Sequence, residues 1–240
     1  MLWRDREDDY EVAQTLRHLS DANRQLDLHE EGIQQAKEAL EIYEQLGDTA
    51  EQADCLIKLA LLSRKDEQLG AAEEAALCAI DLLPETGEQF RVCRSHCALG
   101  EIYRSKHETE RAIHHFGVAL GIAHSFSWHD ALFWVHHSLS RLFLDQGRFD
   151  DAHTHIERAK SYTANSPYNL GYTTVVQAGI LYRQHKFEEA RTELLCATDI
   201  FKELGAAKNV EDCRNLLRNI EEGLNTQVAS GRSKFNCELL

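Results

Sequence analysis

The chain has 240 residues, 43% of them hydrophobic, and a formal net charge of −14. An acidic surplus of this size argues against non-specific binding of nucleic acid or anionic lipid across the whole surface. Only two prolines among many Ala, Leu, Glu and Gln residues favour an all-helical protein, and no apolar run approaches the roughly 18 residues that span a bilayer.

Residues 1–9 are acidic, lack periodicity and read as an N-terminal extension without a signal-peptide core. From Tyr10 to about Leu224 the pattern is helical, and small residues mark a repeat. Ser20, Ala60, Gly100, Ser140 and Ala178 take one position in each first helix. Gly32, Ala72, Ala112, Ala152 and Ala190 take one position in each second helix, followed seven residues later by Ala39, Ala79, Ala119, Ala159 and Ala197. The spacing is 40, 40, 40 and then 38 residues. Two antiparallel helices approach closely only where small side chains face each other. Larger residues are expected to fill the space between: Leu19, Leu59, Leu99 and Leu139 in the first helices, Phe116, Ile156 and Leu194 in the second. A single pair cannot bury its apolar face, so stacked pairs are expected to share one continuous core.

Leu99-Gly100, Tyr103, Ala112, Phe116 and Ala119 resemble the signature of the tetratricopeptide repeat (TPR) family, and the resemblance covers about residues 10–205. Repeat one departs from it at Asn23, repeat two at Ser63 and repeat five at Gln177, and the period exceeds the family's common 34 residues. Long-period arrays of this kind resemble those of kinesin light chains, spindle-orientation adaptors and NTPase-linked sensor proteins. The resemblance implies an all-α, right-handed α-solenoid of five TPR-like helix pairs plus a C-terminal capping helix. The expected repeats are 10–48, 49–87, 88–127, 128–166 and 167–205. The cap is 206–224 and a flexible tail 225–240.

In that family the first helix of each pair lines a concave groove. Carried onto this chain, the groove holds Arg17, Arg24, Arg64, Lys65, Arg94, Arg104, Arg141 and Arg183, with Trp134, Tyr172 and Tyr182 toward repeats four and five. Arg24, Arg64 and Arg104 stand one repeat apart. Guanidinium forks bind carboxylates bidentately, and the aromatic residues would accept an apolar anchor. The alternative is that these arginines answer helix dipoles and nearby glutamates. One TPR subtype grips C-terminal carboxylates with a Lys/Asn clamp. Here its positions read Arg17, Asp21, Lys58, Arg94 and Ala98, a broken clamp.

Thirteen histidines include His114-His115, His136-His137 and His153 with His155, but neighbours one or two apart on a helix diverge and cannot chelate together. His96 and His136 sit at equivalent packing positions and are expected as neutral imidazoles. Seven cysteines, with no CxxC, read as reduced and mostly buried thiols of an intracellular, cytoplasmic protein. Cys93 and Cys97, four apart, have no further ligands in view. There is no phosphate loop, nucleophile elbow or HExxH, so neither an enzyme nor a cofactor or metal site is expected. Cys237-Glu238-Leu239-Leu240 fits C-a-a-X, a pattern for prenylation at Cys237 that also arises by chance. The expected function is a non-catalytic scaffold binding a peptide or partner protein, acidic with an apolar anchor, in a locally basic groove. The alternative is a regulatory module of a larger signalling NTPase.

Overall fold

The computed structural model describes residues 2–83, 87–162 and 166–237, with side chains left out at 2–7, 25 and 225–237. Among the described residues there are eleven α-helices and no strand. They are α1 (Leu2–Gln25), α2 (His29–Leu46), α3 (Thr49–Lys65), α4 (Leu69–Asp81), α5 (Gln89–Ser105), α6 (Thr109–Ser125), α7 (His129–Asp145), α8 (Phe149–Lys160), α9 (Pro167–Arg183), α10 (Phe187–Glu203) and α11 (Ala207–Cys237). Odd-numbered helices are the first of each pair. Two compact units divide the chain, Met1–Ala131 and Leu132–Leu240. In the first, α1 packs on α2, α3 on α4 and α5 on α6, and α3 also touches both α1 and α5. In the second, α9 packs on α8 and α10, and α10 on α11.

Each first helix stops at a residue in the left-handed region: Asp27, Glu67, His107, Gly147 and His185, all with φ between 59° and 71°. The next residue's N–H then reaches back to the carbonyl five residues earlier, as from Leu28 to Asn23 (2.9 Å), Gln68 to Ser63 (2.8 Å), Glu108 to Tyr103 (2.9 Å) and Lys186 to Leu181 (2.9 Å). This bond satisfies a carbonyl that the helix end leaves open and turns the chain back on itself. Links between pairs use the same device at Gly47 and Gly205, and at Ser127. Asp48 caps α3 through the N–H of Glu51 (3.1 Å), and Ser166 caps α9 through Asn169 (3.2 Å), with Pro167 in the first turn.

The small-residue positions are the helix crossings. A Cβ on Gly100 would lie 2.5 Å from the Phe116 ring. Where the crossing residue is serine, its hydroxyl uses the contact: Ser20 Oγ donates to the Gly32 carbonyl (2.8 Å), and Ser140 Oγ to that of Ala152 (2.7 Å). Side-chain volume is also traded between the helices of a pair. Ala13 packs with Tyr43 and Ala53 with Leu83. Gly171, the equivalent of Ala13, faces Phe201, the equivalent of Tyr43, so closely that a Cβ would sit 2.7 Å from its ring. In these three pairs a large residue stands opposite a small one, as close packing demands.

Four expectations are corrected. Residues 2–9 belong to α1, because nothing there breaks a helix and the Arg and Glu residues favour one. The segment from 225 continues α11 to Cys237, with no proline to stop it. Residues 238–240, and so the C-a-a-X terminus, lie outside the described residues. Leu19 is exposed, unlike its equivalents Leu59, Leu99 and Leu139, because α1 packs chiefly on α2 and α3. Among the cysteines, Cys55, Cys93 and Cys213 are buried but Cys78 and Cys196 are exposed, on the outer faces of second helices. Burial is the main cause that pushes the Cys55 thiol up to about 12.

Candidate partner-binding face

In the first unit, α1, α3 and α5 lie side by side, and their charged residues recur at helical spacing along each. The period then brings charge of one sign on one helix opposite the other sign on the next. Arg17 of α1 meets Glu51 of α3 (3.3 Å), and Asp21 of α1 meets Lys58 of α3. Arg91 of α5 reaches Glu51 (3.2 Å) and Asp54 (3.0 Å), and Arg94 of α5 takes the other oxygen of Asp54 (2.7 Å). Arg64 of α3 lies 3.7 Å from Glu101 of α5, whose carboxylate also receives Arg104 (3.3 Å). Asp54 is 7% exposed and Lys58 6%, so the ladder is half sunk into the protein. Burial lowers the Lys58 pKa, and the bond to Asp21 works against that shift.

The expected basic residues therefore divide. Arg17 and Arg64 are largely withdrawn into cross-helix pairs, and Arg104 into a pair with Glu101 one turn back on its own helix, at 19%, 14% and 13% side-chain exposure. Arg24 and Arg94 keep 40% and 34% exposure beside Asp21 and Asp54, and Lys65 is exposed at the end of α3. Arg24, Arg64 and Arg104 share a register but not a setting: Arg24 faces Asp21 one turn back, whereas the other two converge on Glu101. The broken-clamp positions Lys58 and Asp21 hold each other.

In the second unit Trp134 of α7 is 45% exposed and tilts against Tyr172 of α9, ring centres 5.5 Å apart. The Tyr172 hydroxyl accepts from Asn209 of α11 (3.3 Å), and Tyr168, 41% exposed, leans on the Tyr172 ring. Tyr182 packs on Phe187 and lines a small apolar cleft with Val175, Gly179, Leu216 and Ile220. Arg141 is half-buried and Arg183 exposed.

Three features were missed by reading one basic stripe at a time. Arg91, bonded to Glu51, Asp54 and Glu88, is the hub of the ladder. Asp21 to Lys58, Asp54 to Arg91 and Arg64 to Glu101 are each 37 residues apart, a signal close to the repeat itself. His96 and His136 do occupy packing positions, but each is joined to a histidine 19 residues on, His115 and His155. Among the described residues no cluster of three or more His, Cys, Asp or Glu could hold a metal, and no helix is long and apolar enough to cross a membrane.

No family model matches the chain, and no curated protein matches it. Solved structures do. A Rap protein complexed with Competence and Sporulation Factor superposes with a TM-score of 0.67 at 17% identity, over 92% of this chain and 67% of that one. Aspartyl phosphate phosphatase F from Bacillus subtilis gives 0.63 at 15% identity over 89% of this chain, which spans 60% of its length. A putative kinesin light chain from Podospora anserina with nearly identical TPR-like repeats gives 0.57 at 15% identity, over 82% and 97% of the two chains. The fold is that of the TPR-like repeat proteins. In TPR-like terms α1, α3 and α5 are successive first helices, so the ladder runs between repeats rather than within them.

Proposed function

We propose that this TPR-like chain is a non-catalytic interaction scaffold that binds an acidic peptide or partner segment along α1, α3 and α5. The carrying observation is the ladder: a half-buried, pre-ordered set of charges in which Arg24 and Arg94 keep exposed guanidinium beside a fixed carboxylate. Such groups are already desolvated in part and held in place, so an incoming carboxylate gains a charge-assisted bond at little ordering cost. The Rap protein whose structure matches was solved with Competence and Sporulation Factor, which supports a peptide or protein ligand for this fold. The name of aspartyl phosphate phosphatase F is that of an enzyme, but at 15% identity the likeness carries the fold alone. In the second unit, Trp134 with Tyr172 is proposed as a separate contact for an apolar side chain of a partner.

An array of acidic peptides with and without an aromatic or aliphatic anchor tests this reading. The wild-type chain is expected to select acidic members, and Arg24→Gln with Arg94→Gln to lose at least about tenfold in affinity, a difference of roughly 1.4 kcal/mol. Unchanged selection by the double variant would overturn it. Arg64 and Arg104 are unsuitable probes, because reversing them leaves Glu101 facing like charge.

A further inference from the structure

His96 Nδ1 lies 2.9 Å from His115 Nδ1, across α5 and α6. His136 Nδ1 lies 3.0 Å from His155 Nδ1, across α7 and α8. The second pair is the first displaced by one repeat of 40 residues. The same two positions elsewhere hold Leu16 and Gln35, Leu56 and Ala75, and Thr174 and Glu193, none of which titrates as a pair of bases. The imidazoles are locked in aromatic stacks: Tyr103 lies on His115 (5.3 Å, 20°), Tyr162 on His136 (6.2 Å, 5°) and Phe143 against His155 (5.3 Å, 30°).

Two like nitrogens at this distance are joined by a hydrogen bond only if one carries a proton and the other offers a lone pair. A neutral pair meets that condition with opposite tautomers. One added proton goes to Nε2 of the donor ring and strengthens the bond. A second proton would go to the acceptor's Nδ1, setting two N–H groups and two positive charges face to face. Each native pair therefore takes up at most one added proton, whereas the unfolded chain takes up two.

We propose that these two pairs form an acid-sensitive clasp, holding α5 to α6 and α7 to α8 at neutral pH and releasing them on acidification.

His115 meets Glu73 from α4, which favours its protonated form, and Arg111 and His114 on α6, which oppose it. Glu73 is itself engaged by Lys106 and by the Tyr103 hydroxyl (2.6 Å). His155 has Asp151 and Arg158 on its own helix, with opposite effects, and α9, packed on α8, has no charged residue before Arg183. Burial is the leading cause that lowers His96, His115 and His155, and His115 falls to about 4. With folded values below the unfolded value of about 6.5, the contribution to stability is whole above that pH. It is lost as pH falls from there toward about 4. Each excluded proton lowers the folding constant by up to roughly tenfold per pH unit in that window. Because α5 also carries Arg91, Arg94 and Glu101, release in the first unit would loosen the ladder as well.

The test is urea unfolding of the full chain at pH values of about 7, 6 and 5, with wild type and the double variant His115→Asn, His155→Asn. Asparagine offers a donor and an acceptor at the Nδ1 position and does not titrate. The wild-type folding constant is expected to fall at least about tenfold between about pH 7 and 5, and the variant to lose most of that fall. Exposed His124→Asn and His153→Asn should keep it. An equal fall in wild type and double variant overturns the proposal. Should the variant not fold, imidazole NMR titration of the wild type decides: two separated protonation steps per pair are expected, and four independent titrations near the ordinary value would refute it.

Discussion

At the scale of single residues, the structure concentrates its cost of change at a few atoms. Asp54 binds Arg91 with one carboxylate oxygen and Arg94 with the other, at 7% exposure. Asp54→Asn keeps the shape but takes from Arg94 its carboxylate partner and from Arg91 one of three. It is expected to destabilise by about 2 kcal/mol, read as a lowered urea midpoint, and an unchanged midpoint would mean that the arms of the ladder re-pair with solvent. Gly100 is a steric case. A methyl there would stand 2.5 Å from the Phe116 ring, so Gly100→Ala is expected to cost about 1–3 kcal/mol from overpacking, despite gaining up to about 1 kcal/mol of helix propensity. Adding Phe116→Leu to the same chain should recover much of the loss, and a double-mutant cycle measures the coupling.

At the scale of elements, the turns give a change of opposite sign. Glu67 and His107 hold φ near 60°, a region that costs a side chain about 1 kcal/mol or more. Both are exposed. Glu67→Gly is expected to stabilise by about 0.5–1 kcal/mol, net of glycine's greater unfolded freedom, raising the thermal midpoint, and a drop would show that the Glu67 side chain has a compensating role. The pairing of helices was legible in the sequence because crossing positions admit only small residues, and Ser20, Ala60, Gly100 and Ser140 announce themselves at a fixed period. The ladder was half legible. The arginines stand out on one helix face, but their partners lie on the next first helix, 34, 37 or 40 residues away, and only the lean of one helix on another chooses among those offsets. Helix ends at 2–9 and 225–237 were not legible, since polar residues without proline read equally well as tail or helix. The histidine pairs were hidden because a search along one helix never compares His96 with His115.

At the scale of the whole molecule, 40 acidic side chains against 26 basic ones set the response to salt. Surface self-repulsion is screened over a Debye length of about 10 Å at 0.1 M, whereas half-buried pairs such as Asp54 with Arg91 are screened less. Raising ionic strength from low to moderate should therefore raise the thermal midpoint, on the order of a few degrees. A falling midpoint would assign more of the stability to exposed ion pairs such as Arg148 with Asp151 (2.7 Å) than to the ladder.

The exchange of bulk between Ala13 and Tyr43, Ala53 and Leu83, and Gly171 and Phe201 bears on how such an array can be rebuilt. Each pair is cut to its own template, so helices are not spare parts. Moving Ala13 of the first pair into the place of Gly171 would force a methyl into the Phe201 ring, while the reverse move would leave a void beside Tyr43. The smallest piece that can be duplicated, deleted or grafted intact is the matched pair, and drift at one member is tolerated only when its opposite number drifts with it.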